Sequence, residues 1–411
     1  MARIIPPSGP PRVLAAAQLT NSFGDGAFYV CSVLYFSRIV GLSPTQIGFG
    51  LTLGWAVGSV AGVPLGHLAD RRGPRGVAVL LALATGTAVG SFLLVRSFAP
   101  FVVAACLYAT CQCGLGAARQ ALLAGLVDRA KRTEIRAYLQ STVNAGLAVG
   151  AALGGVALHY DTRTAYLAVL AMDAVSFLAS AFVLLRLPAV APAPPSTDGE
   201  PRLAVLRDRP YALIALLNTV MVLYMPLLSL VVPLWVVGRT HAPTWMVATL
   251  MVLNTLSVVL FQVRVARRVT GLDSASRLVR YAGLLMLASC VTFALSAAPG
   301  SAWSAAAVLV AAAALQVVGE MMLASGAWEI SFDLAPPHKQ GQYQGFYGTG
   351  VAAARMAGPL LLTTLVIGGG TPGWLALGTL FLLAGTAMGY AVRWAQRTRV
   401  FPEPAAVPSD R

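Results

Sequence analysis

Charge is what this sequence has least of. Aspartate, glutamate, lysine and arginine make up 11% of its 411 residues, against roughly a quarter in an ordinary soluble domain. So thin a supply cannot cover a water-facing surface, which excludes a soluble globular protein and leaves an integral membrane protein. Histidine is as sparse, with four residues, and the five cysteines, Cys31, Cys106, Cys111, Cys113 and Cys290, all fall inside apolar runs. Cys111-Gln112-Cys113 has no further ligand at zinc-site spacing, so the cysteines read as packing residues, not as disulfides or metal ligands. No nucleophile–base pair stands out among the polar groups. The chain is therefore read as no enzyme, with no cofactor and no metal. Missing too is the ten-residue apolar–polar alternation of a membrane barrel. Its place is taken by continuous apolar runs of about twenty residues, so the spans are helical.

Twelve such runs are predicted, over about 12–38, 44–66, 76–96, 99–122, 138–159, 164–186, 211–237, 243–264, 278–298, 302–329, 343–367 and 373–395. The first is too long for a signal peptide. With both termini in the cytoplasm, the inner segments hold 23 lysines and arginines. The outer ones hold only Arg38, Arg96, Arg163 and Arg239. That bias sets the orientation in a plasma (inner) membrane. It also disposes of nucleic acid as the reason for a net charge of +14, because nucleic acid would need one continuous basic face. Trp235, Trp245, Trp303 and Trp374 fall near predicted outer helix ends, and Trp328 and Trp394 near inner ends, as interfacial belts would.

One composition break divides the chain. Residues 187–210, with Pro188, Pro192, Pro194, Pro195 and Pro201 among Ser196, Asp198 and Glu200, form a polar cytoplasmic linker. It separates a six-helix bundle at 12–186 from a second at 211–395, with cytoplasmic tails at 1–11 and 396–411. The halves echo each other: Asp128 precedes Tyr138 as Asp333 precedes Tyr343, by ten residues in each case, between an even-numbered helix and the next. A repeat across a central linker is the pattern of a two-bundle transporter.

Between the second and third runs lies Gly66-His67-Leu68-Ala69-Asp70-Arg71-Arg72-Gly73-Pro74-Arg75, read as a short charged loop at the membrane surface. It resembles the loop motif of the major facilitator superfamily, G-x-L-A-D-R-x-G-R-R/K, matching at Gly66, Leu68, Ala69, Asp70, Arg71, Gly73 and Arg75. The resemblance extends over about 12–395. It implies an all-α membrane fold of two six-helix bundles with pseudo-twofold symmetry. It also implies that Asp70 docks on the start of helix 11 to hold the cytoplasmic side closed, which suits a carboxylate at a helix N-terminus. Arg71 and Arg75 are expected to pair with neighbouring acids, Asp128 first. The stretch Arg264 to Arg277 is a weak second copy, with Arg267 where the acid would fall.

Helix 5 carries Gly146, Gly150, Gly154 and Gly155. The spacing resembles the G-x-x-x-G-P-x-x-G-G of the superfamily's exporters, with Ala151 in place of proline. Glycines four apart let helices pack backbone to backbone; the resemblance puts that surface at the seam between bundles. Helix 4 keeps Gly114-Leu115-Gly116-Ala117-Ala118, but Thr110 and Cys113 stand where exporters carry Arg and Gln.

Charges inside spans are costly unless paired or wet, and so point to chemistry. Asp25 in helix 1, Asp173 in helix 6, Glu320 in helix 10 and Arg355 in helix 11 are such residues. Asp25 resembles acids that drug-exporting relatives use for protons and cationic substrates. Glu320 is a second candidate for proton exchange, unless it is bound permanently to Arg355. Arg119 and Glu329 are read as interfacial. Pro64, Pro226, Pro233 and Pro359 predict bends. Phe28, Tyr29, Tyr35, Trp55, Tyr108, Met221, Tyr224 and Met225 are read as packing first and cavity lining second.

These readings imply a drug:proton antiporter-like exporter of small hydrophobic or amphipathic compounds, working by alternating access. The expected partners are a small-molecule substrate, protons and the lipid bilayer, with no nucleic acid, and the chain is expected to be a monomer. A proton-coupled uptake symporter for a nutrient is the alternative. A non-transporting membrane sensor is another, although no loop is long enough to hold a soluble module.

Overall fold

The apolar runs become helices, and the residues at their edges explain where each begins. The computed structural model describes residues 6–194, 201, 203–298 and 300–398. The outer parts of both expected cytoplasmic tails and the middle of the linker, with Pro195, Ser196, Asp198, Glu200 and Arg202, lie outside the described residues. Helix α1 (Pro10–Leu34) opens on proline, which suits the first helical turn, where its missing N–H costs nothing. Helix α2 (Pro44–Arg72) opens on proline too, behind a Ser43–Gln46 capping box. Then come α3 (Pro74–Ser91), α4 (Phe98–Leu126), α5 (Arg132–Tyr160) and α6 (Arg163–Leu184). The second half has α7 (Arg209–Arg239), α8 (Met246–Ala266), α9 (Leu272–Leu295), α10 (Ala302–Asp333), α11 (Gln340–Leu362) and α12 (Gly370–Thr398). There is no strand among the described residues.

Eleven of these helices are long and apolar enough to cross a membrane. The remaining one, α1, is less apolar because Gln18, Asn21, Ser22 and Asp25 occupy its buried side. Its place in the bundle comes from packing on α5 and α6. Helix α7 is broken between Met221 and Tyr224 and contains a π turn at Leu227–Val231 that runs up to Pro233. Another π turn, Thr363–Gly368, follows Pro359 of α11. These are the interruptions expected where proline removes a backbone donor.

Each half has its own hydrophobic core. In α1–α6 it centres on Phe28, Phe36, Phe92, Phe101 and Tyr108. In α7–α12 it centres on Trp235, Trp374 and Phe293, with Trp374 stacked on Phe293 and set edge-on to Trp235. The two bundles meet where α2 lies along α11 and α5 along α8.

Three sequence expectations change here. Trp235 and Trp374 are fully buried and do not belong to an interfacial belt; both sit near helix ends, and position along a helix does not tell which face a side chain takes. The Gly66–Arg75 stretch is mostly helix: α2 runs through Arg72, Gly73 with φ +91° makes the whole turn, and Pro74 begins α3. Gly146, Gly150 and Gly154 of helix 5 face α1 inside their own bundle. A Cβ on Gly146 would approach Ser22, and one on Gly154 would approach Ala27 and Val30. Gly150 abuts the Phe23 backbone, and Gly155 faces open space.

Candidate functional site: a polar layer between the bundles and a latch on one face

The midplane layer is built from polar residues contributed by several helices. Asp25, near the middle of α1, is buried and accepts hydrogen bonds from Asn21 Nδ2 at 3.0 Å and Gln112 Nε2 at 3.5 Å. Asp173 on α6 is fully buried and borders the same stretch of α1: a Cβ on Gly24 would come within 2.8 Å of its Cα. Its Oδ1 meets Ser176 Oγ at 3.4 Å, and its Oδ2 has no hydrogen-bond partner among the described residues. Arg119 completes the group. Its Nη2 donates to Asn21 Oδ1 at 2.9 Å and to Ser180 Oγ at 3.0 Å. Arg119 therefore lies inside the bundle, not at the interface. It stands two turns before the end of α4, because that helix runs on to Leu126.

In the second bundle Glu320 of α10 accepts from Asn254 Nδ2 of α8 at 2.7 Å, and it also bonds the Tyr224 hydroxyl of α7. Arg355 does not pair with Glu320. Its guanidinium lies 4.9 Å from the ring centre of Trp55, on α2 of the other bundle. Sequence reading picked out the charges but not Gln112 and Asn254 as the donors that serve them. Their signal was an amide mid-span in an apolar run, which is as costly to leave unpaired as it is easy to overlook.

The bundles are joined on the arginine-rich face. Asp70 Oδ1 accepts the Gly341 N–H at 2.6 Å and Oδ2 the Gln342 N–H at 2.9 Å. Both donors are free N–H groups of the first turn of α11. Glycine makes the approach possible: a Cβ on Gly341 would stand 2.8 Å from Asp70 Oδ1. On the other side of that face Arg129 pairs with Asp333, and Thr133 donates to Glu329. Arg267 Nε meets Glu134 Oε1 at 2.8 Å, and its Nη2 meets the Tyr138 hydroxyl at 3.0 Å. Arg136 lies over Trp328 at 5.1 Å. Glu329 thus faces the partner bundle and not lipid headgroups. No ion pair joins Asp128 to Arg71 or Arg75; the ion pairs among the described residues are Arg38–Asp161, Arg129–Asp333 and Arg267–Glu134. Arg71 is exposed at the last turn of α2.

The start of the linker lies against this latch. The Ala193 N–H donates to the Asp70 carbonyl at 2.8 Å, and Val190 fills the space beside Gly125 of α4. On the opposite face no hydrogen bond or ion pair joins the two bundles among the described residues. The arrangement is a polar midplane sealed from the arginine-rich side.

A sequence profile described as the Major Facilitator Superfamily matches residues 14–359. No curated protein matches the chain. Among solved structures, the human organic anion transporter MFSD10 (TETRAN) is 17% identical, with a TM-score of 0.69 over 93% of this chain and 100% of that one. A bacterial homologue of the iron transporter ferroportin, in an outward-facing state, is 15% identical, with a TM-score of 0.73 over 96% of this chain and 100% of its own. The proton:xylose symporter XylE, bound to 6-bromo-6-deoxy-D-glucose, is 11% identical, with a TM-score of 0.70 over 92% and 94%.

Proposed function

The chain belongs to the Major Facilitator Superfamily, and on that footing we propose that it exports small hydrophobic or amphipathic compounds in exchange for protons. It is a multi-pass membrane transporter. The three similar structures are named for different cargoes, so they carry the fold and not the substrate. The observation that carries the proton-coupled reading is the pair of acids at Asp25 and Asp173. A carboxylate held mid-membrane is expensive, and neither has an ion-pair partner within 4 Å among the described residues. Asn21 and Gln112 satisfy Asp25 when it is charged; an acid so placed can exchange a proton with a crevice open to one side at a time. Glu320, held by Asn254 and Tyr224, is the second exchanging group.

Alternating access follows from the latch. The sealed arginine-rich face, taken as cytoplasmic under the positive-inside rule, makes this the outward-facing state. Asp70 is the cytoplasmic lock, with Gly66 giving α2 its close approach to α11. Arg71, Arg75 and Asp128 set the charge of that face, and Gly73 makes its turn. The protein acts as a monomer in the plasma (inner) membrane, with both termini in the cytoplasm. Gly146, Gly150 and Gly154 are scaffold: they hold α1, and with it Asp25, against α5.

Energised inside-out vesicles test this reading. Expected is accumulation of an amphipathic dye that consumes the imposed pH gradient and is abolished by a protonophore. Dye flux indifferent to both the pH difference and voltage would overturn it. Accumulation in right-side-out vesicles instead would establish the uptake symporter.

A further inference from the structure

Among the described residues, Arg355 is the one midplane cation whose head group lies in the crevice between the bundles and not inside one of them. It is exposed there, although it sits at the middle of a membrane-spanning helix. Its guanidinium is stacked on Trp55, and no N–H of it reaches a protein acceptor among the described residues. A guanidinium has five donors in a planar fork, and stacking on an indole leaves the edges of that fork open. The titratable groups near enough to feel its charge are Asp25, Tyr29 and Cys113. Asp25 is already served by Asn21 and Gln112 and lies near Arg119. It therefore leaves the fork of Arg355 unfilled.

The surroundings are aromatic. Trp55 is set edge-on to Tyr108 at 6.4 Å, Tyr108 packs on Phe28 at 5.7 Å, and Phe28 meets Tyr29 at 6.1 Å. Tyr29 is 46% exposed, so this wall reaches the crevice and does not end inside the core.

We propose that Arg355 and Trp55 form the anion-binding end of the substrate site, and that the transported compound is an amphipathic carboxylate with a flat apolar body. The carboxylate takes the open fork of Arg355, where two parallel N–H bonds give both strength and orientation. The apolar body lies along Trp55, Tyr108 and Tyr29. Trp55 belongs to α2 and Arg355 to α11, the helices whose inner ends carry the Asp70 latch. Occupancy between them is therefore felt by both bundles at once. The inference rests on the transport reading for its physiological meaning, and on the residues alone for its binding chemistry.

The test uses the purified full-length protein in detergent and three probes of one shape: 2-naphthoate, 2-naphthylmethanol and 2-naphthylmethylammonium. Calorimetry and thermal shift read their binding at equilibrium. Expected is binding of the acid at least about tenfold tighter than the alcohol, as a charge-assisted fork supplies, with the amine weakest. Arg355→Gln removes the preference for the acid, and Trp55→Leu weakens acid and alcohol alike. Acid no tighter than alcohol, a preference for the amine, no binding of any probe, or a preference that survives Arg355→Gln each overturns the proposal. If Arg355→Gln does not fold, Arg355→Lys decides. Loss of the fork with retention of the charge lowers the preference severalfold; an unchanged preference overturns the assignment. No gradient enters this measurement, so failure of proton coupling in vesicles sinks the transport reading without touching it, and the reverse holds too.

Discussion

Arg267 and Glu134 form the charge-reversed counterpart of the contact that Asp70 makes with the start of α11. Ala69-Asp70 at the end of α2 corresponds to Ala266-Arg267 at the end of α8, and each helix end reaches the first turn of a helix in the opposite bundle. In one half the carboxylate takes the free N–H groups directly. In the other a cation has replaced it, and the first turn of α5 supplies Glu134 to receive the cation. The same joint is thus made twice with opposite signs.

The two joints differ in burial, and that ranks them. Arg267 and Glu134 are 45% and 30% exposed along their side chains, so the pair contributes no more than about 1 kcal/mol. Asp70 is buried, and breaking its two bonds strands two α11 donors, at about 1–3 kcal/mol. Asp70→Ala should therefore raise labelling of a cysteine placed on the α8-facing side of α5, at its arginine-rich end, by about fivefold or more, and Glu134→Ala by less than that. Equal effects of the two would show that burial does not set the strength of the lock.

Asp25→Asn should abolish the part of transport that a pH gradient drives, by at least about tenfold, while substrate exchange at equal pH continues. The amide is isosteric: its oxygen can still accept from Asn21, which Arg119 holds in place, and Gln112 can turn its own amide to take the new NH2, so expression and melting should stay near wild type. Unchanged coupling in this variant would remove Asp25 from the proton path. Asp173→Asn tests its neighbour in the same assay, with Ser176 kept as partner.

Much of this was legible in the sequence because membrane helices announce themselves. Twelve runs, the arginine asymmetry and the linker need only composition. The charges at Asp25, Asp173, Glu320 and Arg355 stood out because nothing but function or pairing keeps a charge in hydrocarbon. What could not be read was direction around a helix. Gly150 lies in a spacing that serves any close helix pair, and only the fold shows that its partner is α1. Trp374 sits at a helix end yet points inward, and Arg119 sits near one yet reaches Asn21 and Ser180. The partner the sequence offered Arg355 was Glu320; the structure gives it Trp55 because α2 lies along α11.

The glycine face on α5 makes a contrast within five residues. A side chain at Gly150 runs into the Phe23 backbone, whereas Gly155 has nothing within 4 Å. Gly150→Val should lower the melting temperature clearly, by overpacking worth about 1–3 kcal/mol, and Gly155→Val should leave it near wild type. Similar losses at both positions would mean that the α1–α5 contact does not limit stability.

On the face away from the latch, Asp161 has a left-handed backbone, φ 46°, and takes hydrogen bonds from Tyr166 and Arg38. The Tyr166 hydroxyl first, and then the Arg38 guanidinium, hold its carboxyl below the usual carboxylate range. A depressed folded value adds stability above the unfolded one, near pH 3.9, which disappears as pH falls through the folded value. The melting temperature of Asp161→Asn should therefore lie slightly below wild type above about pH 5 and converge with it in stronger acid. A gap that stays constant down to pH 3 would place the effect in the turn and not in the charge.

The carboxylate assignment at Arg355 also fixes an electrical signature. An anion leaving the cell and a proton entering it each carry charge in the same direction, so one exchange moves two charges down a negative-inside potential. Each charge is worth about 2.3 kcal/mol per 100 mV. A neutral compound exchanged for one proton would move only one, and a monocation none. In proteoliposomes with a potassium diffusion potential, export of a monocarboxylate should therefore depend on voltage twice as steeply, per proton, as the neutral case. Voltage-indifferent exchange would identify a cationic cargo and overturn the carboxylate assignment at Arg355.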